Sequence, residues 1–329
     1  MKKILEIDAN SYQQHLIHGE GRDWAETNCY VDLWVELLHA LGHEPIAALP
    51  FTLGIDFEGD QWTFFKFGLA DLDRLYGLNI QELSIWRDLI LCIEEQVALG
   101  RPVLVELDSF FLPDTQGTAY KLEHVKTTVA VNELDIANRH LGYFHNQGYY
   151  VLNGQDFTDI FLLEGPVDPR VLPPYVEYVK FRDRSALKGG DLLEASLDLL
   201  KYQLTNLPKK NPFAEFKQRF AKDLEWLMSI ETAVDMQAFH KYSFATLRQY
   251  GACFELCKTY LQWLAKSPQG QTGLDPAIEA FGEISNAAKV FQFQLARALA
   301  RKREMDLAPI DTMGNHWQRA LSLLTDKYA

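Results

Sequence analysis

Apolar and polar positions along the chain fall into two textures that meet near residue 185. From Leu49 to Tyr178 short apolar runs alternate with Gly, Pro and Asp/Asn turns: Phe51 to Phe57, Trp62 to Phe67, Pro102 to Leu107, Val125 to Val131 and Leu141 to Phe144. Their lengths and β-branched or aromatic content predict strands. Glu58-Gly59-Asp60, between the first two, reads as a hairpin turn. Two segments in this half have helical spacing, Tyr30–Leu41 and Leu83–Leu99. Beyond Pro173-Pro174 and Lys188-Gly189-Gly190 the spacing is helical almost to the end, over Asp191–Leu204, Pro212–Ile230, Met236–Ala265, Pro276–Ala300 and Gly314–Tyr328. Asn211-Pro212 and Asp275-Pro276 each set a capping side chain before a proline at a first helical position. The pattern predicts an α+β domain over residues 1–184 and an all-α bundle of about five helices over 185–329.

Composition narrows the function classes. The 329 residues are 47% hydrophobic, enough to build real cores and to exclude a largely disordered chain. Lys and Arg number 32 against 45 Asp and Glu, a formal charge of −13, which argues against a general nucleic-acid binder. No uncharged apolar stretch approaches the roughly 18–20 residues of a membrane span. The opening residues meet Glu6 and Asp8 too soon for a signal peptide. Four cysteines in a chain of this length are no disulfide framework, and reduced thiols in a cytoplasmic setting are the expectation.

One of those cysteines has a position of chemical interest. Tyr30, Leu33, Trp34, Leu37, Leu38 and Leu41 form an apolar helix stripe, and Gly42 is placed to end it. Asn28 is a good N-cap, which makes Cys29 the first helical residue. A thiol there faces unsatisfied N–H groups and the positive end of the dipole, which favour a thiolate. The same N–H groups can stabilise an oxyanion formed when the sulfur attacks a carbonyl. Cys92 lies on an apolar helical face, and Cys253 and Cys257 are four apart within a long helix, so all three read as core residues.

A nucleophilic cysteine needs a base. Of nine histidines, His124 stands out: it opens the strand Val125–Val131 after a loop rich in turn residues. The next strand, Leu141–His145, follows the turn signal Asp135-Ile136-Ala137-Asn138. A hairpin centred near Asp135-Ile136 sets His124 opposite Asn146, whose amide would orient the imidazole; a centre two residues later sets it opposite residues 149–151. Asp108, at the end of the strand before, is a candidate to bind a substrate ammonium or to position His124. Asp56, Glu58 and Asp60 are explained by an exposed turn, and no metal is expected.

The order of helix-start Cys, strand-start His and strand-end Asn resembles that of papain-like cysteine enzymes. The segments Asn28–Trp34, Asp56–Lys66, Val105–Pro113 and His124–Thr128 resemble a bacterial family catalogued as domain of unknown function 1839, through most of the chain. More distantly, the first half is similar to the papain-like N-terminal domain of the butirosin-biosynthesis acyltransferase. The resemblance implies acyl transfer: an aminoacyl group moves from a carrier-protein thioester through Cys29 to an acceptor amine or other nucleophile, with His124 as base. It implies an acyl carrier protein as partner and no cofactor beyond the phosphopantetheine of that donor. Docking an acidic carrier needs a local basic face, for which Lys180, Arg182, Arg184 and Lys188, or Arg301-Lys302-Arg303, are available. Two rival readings remain open: a cysteine peptidase, amidase or thioesterase using the same pair, and a non-catalytic interaction protein whose helical half is the working surface.

Overall fold

The computed structural model describes residues 2–164, 172–229, 232–267 and 271–329. It divides into two units: residues 1–19, 28–45 and 69–186 form one, and residues 20–27, 46–68 and 187–329 the other.

The first unit is an antiparallel sheet with helices on both faces. Its strands are β1 (Lys2–Lys3), β2 (Leu78–Glu82), β3 (Val103–Asp108), β4 (Lys126–Asp135), β5 (His140–His145), β6 (Gly148–Asn153) and β7 (Val176–Phe181). They lie in the order β2-β7-β3-β4-β5-β6, with β1 paired to β4. The helices are α1 (Cys29–Ala40), α2 (Leu69–Tyr76), α3 (Leu89–Ala98) and α4 (Gly154–Ile160). Side chains alternate across a strand, so Val103, Val105 and Leu107 share one face. There they pack with Val129, Val131, Ile90 and Ile93 of α3, and Phe157 of α4. On the other face, Glu177 lies opposite Leu104 and accepts a hydrogen bond from Tyr30 of α1. Glu106 and Asp108, in step with Leu104, therefore project toward the α1 side.

The second unit is helical: α5 (Gly189–Thr205), α6 (Pro212–Ser229), α7 (Thr232–Ser243), α8 (Gln249–Lys266), α9 (Asp275–Arg301) and α10 (Ala308–Tyr328). A π turn over Phe244–Arg248 joins α7 to α8, where the spacing had predicted one helix over Met236–Ala265. Ile230, the expected end of α6, lies outside the described residues. The last helix begins at Ala308, with Pro309 in its first turn, six residues before the expected Gly314.

The structure corrects two elements of the N-terminal half. The Phe51–Phe57 and Trp62–Phe67 runs are not ladder strands; Pro45–Gly54 is 3-10 helical, and Phe57 and Trp62 form a single isolated bridge around the Glu58-Gly59-Asp60 turn. Their aromatic content serves helix packing instead: the Trp62 ring lies 5.0 Å from that of Phe213 and 4.9 Å from that of Tyr250. The helix predicted over Leu83–Leu99 starts at Leu89, because the chain before it has paired Leu78–Glu82 with β7. Strands β1, β2, β6 and β7 and helices α2 and α4 have no counterpart among the elements that the spacing predicts.

Candidate functional site

The N-terminus of α1 is built as its sequence indicates. Asn28 is extended (φ −139°, ψ 153°), and its side-chain oxygen accepts the Val31 N–H at 2.9 Å. Its carbonyl accepts the Asp32 N–H at 3.0 Å. Cys29, the first helical residue, is half-buried. Its backbone N–H has no partner among the described residues, as the first donors of a helix have none inside it. The next residue anchors the helix end: Tyr30 donates to Glu177 Oε2 and Tyr175 to Glu177 Oε1, each at 2.9 Å. Burial, reinforced by Glu177, pushes the Tyr30 hydroxyl well above its ordinary pKa.

Further along α1 lies a buried charge cluster that the sequence reading missed. His18 Nδ1 stands 2.5 Å from Glu36 Oε1, and Nε2 stands 3.2 Å from Asp32 Oδ1. A carboxylate only accepts, so both ring nitrogens carry hydrogen and His18 is an imidazolium. Burial pulls its pKa down, but the hydrogen bonds and charges of the two acids outweigh that and hold it at about 9. Tyr12 Oη and the His15 N–H also donate to Glu36, at 2.6 and 3.0 Å. The i, i+4 spacing of Asp32 and Glu36 was the available signal.

His124 stands two residues before β4. Its Nδ1 lies 2.6 Å from Asp108 Oδ2, so Nδ1 carries the hydrogen and, in the neutral ring, Nε2 is the acceptor. Nε2 has no partner among the described residues. The imidazole stacks on Phe110, with ring centroids 4.3 Å apart at 12°. Asp108 Oδ1 accepts the Phe110 N–H at 3.0 Å. The Ser109 N–H and hydroxyl both donate to the Val125 carbonyl. Asp108 and His124 thus clasp the two ends of the loop between β3 and β4. They stand at the polar end of a cleft of about 910 Å³, whose walls come from the strand ends and from residues 85–89, 160–163 and 172–175.

The observed register corrects the expected geometry around Asn146. β4 pairs Ala130 with Phe144 and Asp135 with His140, so the hairpin is centred about two residues beyond Asp135-Ile136. Extended to its start, this register sets His124 opposite residues 149–151, the second of the two expected registers, while Asn146 sits in the β5–β6 turn with φ 47° and the carboxylate of Asp108 is the group beside His124. The physical reason is the turn itself: Asp135 pairs with His140, so residues 136–139 form the loop, which periodicity alone does not fix. The irregularity between Val131 and Glu133 changes the register by only one residue further along the ladder.

His145, at the end of β5, anchors a second network. Its Nε2 lies 2.7 Å from Thr127 Oγ1 and its Nδ1 2.5 Å from Asp114 Oδ2. Tyr143 donates to the other oxygen of Asp114. His145 and Asp114 are almost completely buried. Because Asp114 belongs to the loop and its two partners to β5, with His145 in turn held by Thr127 of β4, the network pins the loop that ends in His124.

Cys29 Sγ makes no hydrogen bond among the described residues, and Cys29 does not line the cleft. The structure brings Asp108 to His124 but does not bond either to Cys29. Among the described residues no group of three or more His, Cys, Asp and Glu is arranged to hold a metal ion. Cys92, Cys253 and Cys257 are buried; the latter two donate to Thr52, and burial pushes the Cys253 thiol up. Of the basic groups considered for docking, Arg182 and Arg184 are both committed to Asp73. No helix of the described residues is long and apolar enough to cross a membrane.

Comparison with known proteins finds two matching family profiles. The one described as the DUF1839 N-terminal domain matches residues 13–181, and the one described as the DUF1839 C-terminal domain matches residues 189–326. No curated protein matches the chain.

Proposed function

The chain belongs to the DUF1839 family, and we propose that it is a cysteine-dependent acyltransferase of papain-like type, with Cys29 as nucleophile and His124 as base. The observation that carries the reading is the 2.6 Å bond from His124 Nδ1 to Asp108. It fixes the ring orientation and tautomer and leaves Nε2 available for proton transfer, the role an acid or amide plays behind the histidine in Cys-His enzymes. The unpartnered N–H of Cys29 supports it, since that donor is positioned to receive the oxyanion formed at the attacking sulfur.

In the proposed cycle, His124 Nε2 takes the proton of the Cys29 thiol and the sulfur attacks the carbonyl of a carrier-bound aminoacyl thioester. The carbon–sulfur bond to the pantetheine breaks, and its sulfur leaves with the proton from His124. An acceptor amine then attacks the acyl-enzyme, gives a proton to His124, and releases Cys29 as a thiol with that proton returned. Exchange of one thioester for another is nearly thermoneutral, so positioning and oxyanion stabilisation are what the protein must supply. Cys29 and His124 must come within hydrogen-bond reach for this; such contacts commonly tighten only in the substrate complex.

The exposure of the His124 side chain, 68%, favours one second reading. Water reaches the base, so hydrolysis of the same acyl-enzyme competes with transfer. The test is intact-mass detection of an acyl adduct after incubation with an aminoacyl-carrier thioester, with amines then added. An adduct on the native chain, absent from Cys29→Ala and resolved to amide, supports transfer; carboxylate alone supports hydrolysis. No adduct, together with a Cys29 no more reactive to iodoacetamide than the buried Cys253, would leave a non-catalytic interaction protein.

A further inference from the structure

We propose that the cleft beside His124 is a pocket for a bulky apolar acyl chain, which sets the donor class of the reaction proposed above and rests on that reading only for its role in turnover. The cleft holds about 910 Å³, within the range of sites that enclose a whole small ligand. Leu107, Val125, Ile160, Phe161, Leu163 and Leu172 are among its walls. Of its ionic groups, Asp108 is paired with His124 at 2.6 Å, Glu106 with Lys126 at 2.7 Å and Arg87 with Glu95 at 3.6 Å, while Asp88 is exposed to solvent. A ligand entering it meets paired charges beside His124 and hydrocarbon at these walls, an environment suited to an acyl group with a bulky apolar chain rather than to one as small as glycyl.

A backbone feature of the wall points the same way. Helix α4 ends in a Schellman turn: the Leu162 N–H donates to Asp159 O at 3.1 Å and the Leu163 N–H to Thr158 O at 3.0 Å. The left-handed residue of such a turn is usually glycine. Here it is Leu162, at φ 52° and half exposed on the cleft. A leucine in a conformation that disfavours it, with its side chain in solvent, gains nothing from the fold that glycine would not supply better. Its side chain has a reason to be there if a bound chain covers it. Val125 and Leu163 at the same wall are likewise 42% and 39% exposed.

The experiment uses the full chain carrying Cys29→Ala, so that binding is read without turnover. The probes are octanoyl and glycyl thioesters of N-acetylcysteamine, titrated by calorimetry and by methyl NMR. The octanoyl probe is expected to bind saturably, at least about tenfold more tightly than the glycyl probe, and to shift leucine methyls of the cleft. Adding Leu162→Gly is expected to weaken octanoyl binding about tenfold while the unfolding midpoint stays equal or rises. Equal affinity for the two probes, no binding of either, or an unchanged affinity in Leu162→Gly would overturn the proposal. The two readings fail separately. Octanoyl binding without any adduct on native Cys29 sinks the chemistry and keeps the pocket. Adduct formation at equal rates from both probes sinks the pocket and keeps the chemistry.

Discussion

Asp108 has two duties that a single substitution can part. One oxygen accepts the Phe110 N–H and the other holds His124. Asp108→Asn keeps an acceptor for the N–H but replaces the carboxylate behind the imidazole with an amide. If His124 is the base, the single-turnover rate of adduct formation is expected to fall about a hundredfold or more, with the melting temperature little changed. An unaltered rate would remove Asp108 from the mechanism. His18 carries a different kind of prediction. Its pKa is about 9 in the fold against an ordinary 6.5. A raised pKa stabilises fully below the unfolded value and loses its effect as pH climbs through the folded one. The charged groups facing it are Asp32 and Glu36, and Glu36 also accepts from Tyr12 and the His15 amide. Stability should therefore fall by about 3 kcal/mol between roughly pH 6.5 and pH 9.5, measured by urea titration. That loss should vanish in His18→Gln, which is already destabilised at neutral pH; the same alkaline slope in both chains would refute the assignment.

Among elements, legibility followed the number of neighbours each one needs. Helix α1 was readable almost to the residue, because a 3.6-residue stripe and an Asn cap are local properties. Strands β2 and β7 were not: Leu78–Glu82 is a short run beside a longer helical pattern, and only its pairing with Val176–Phe181 makes it a strand. The same limit governs the site. Cys29 and His124 were visible as residue types at element starts and Asp108 as an acid at a strand end able to position His124, whereas the place of Asn146 depended on where the β4–β5 turn is centred. Glycine in α8 shows packing overriding propensity. A Cβ on Gly251 would lie 2.4 Å from the Trp24 ring and 2.9 Å from Ala288 Cβ. Trp24 has little room to yield, since its indole N–H donates to Ser285 and its backbone N–H to Glu255. Alanine is the better helix former by about 1 kcal/mol. Gly251→Ala is nevertheless expected to lower stability by about 1–3 kcal/mol, as overpacking usually does. A raised melting temperature would show that the indole moves aside freely.

At the scale of the whole chain, the boundary in texture near residue 185 and the boundary in packing are different things. The helical unit takes residues 20–27 and 46–68 from the N-terminal half, and what it takes is core. Trp62 is 1% exposed among Phe213, Phe216 and Tyr250, and Phe57 packs on Phe216. Ser196 donates to Ala47 O, and Cys253 and Cys257 to Thr52. Trp24 closes over Gly251. Removing one large buried aromatic costs about 3–5 kcal/mol, and a domain has only about 5–15 kcal/mol to lose. A fragment of residues 185–329 would lack Trp24, Phe57 and Trp62 together. It is therefore expected to keep much of its far-ultraviolet helical signal but to lose near-ultraviolet aromatic dichroism and a cooperative melt. A sharp thermal transition in that fragment, with native-like aromatic signals, would mean that the two N-terminal segments decorate the bundle rather than complete it.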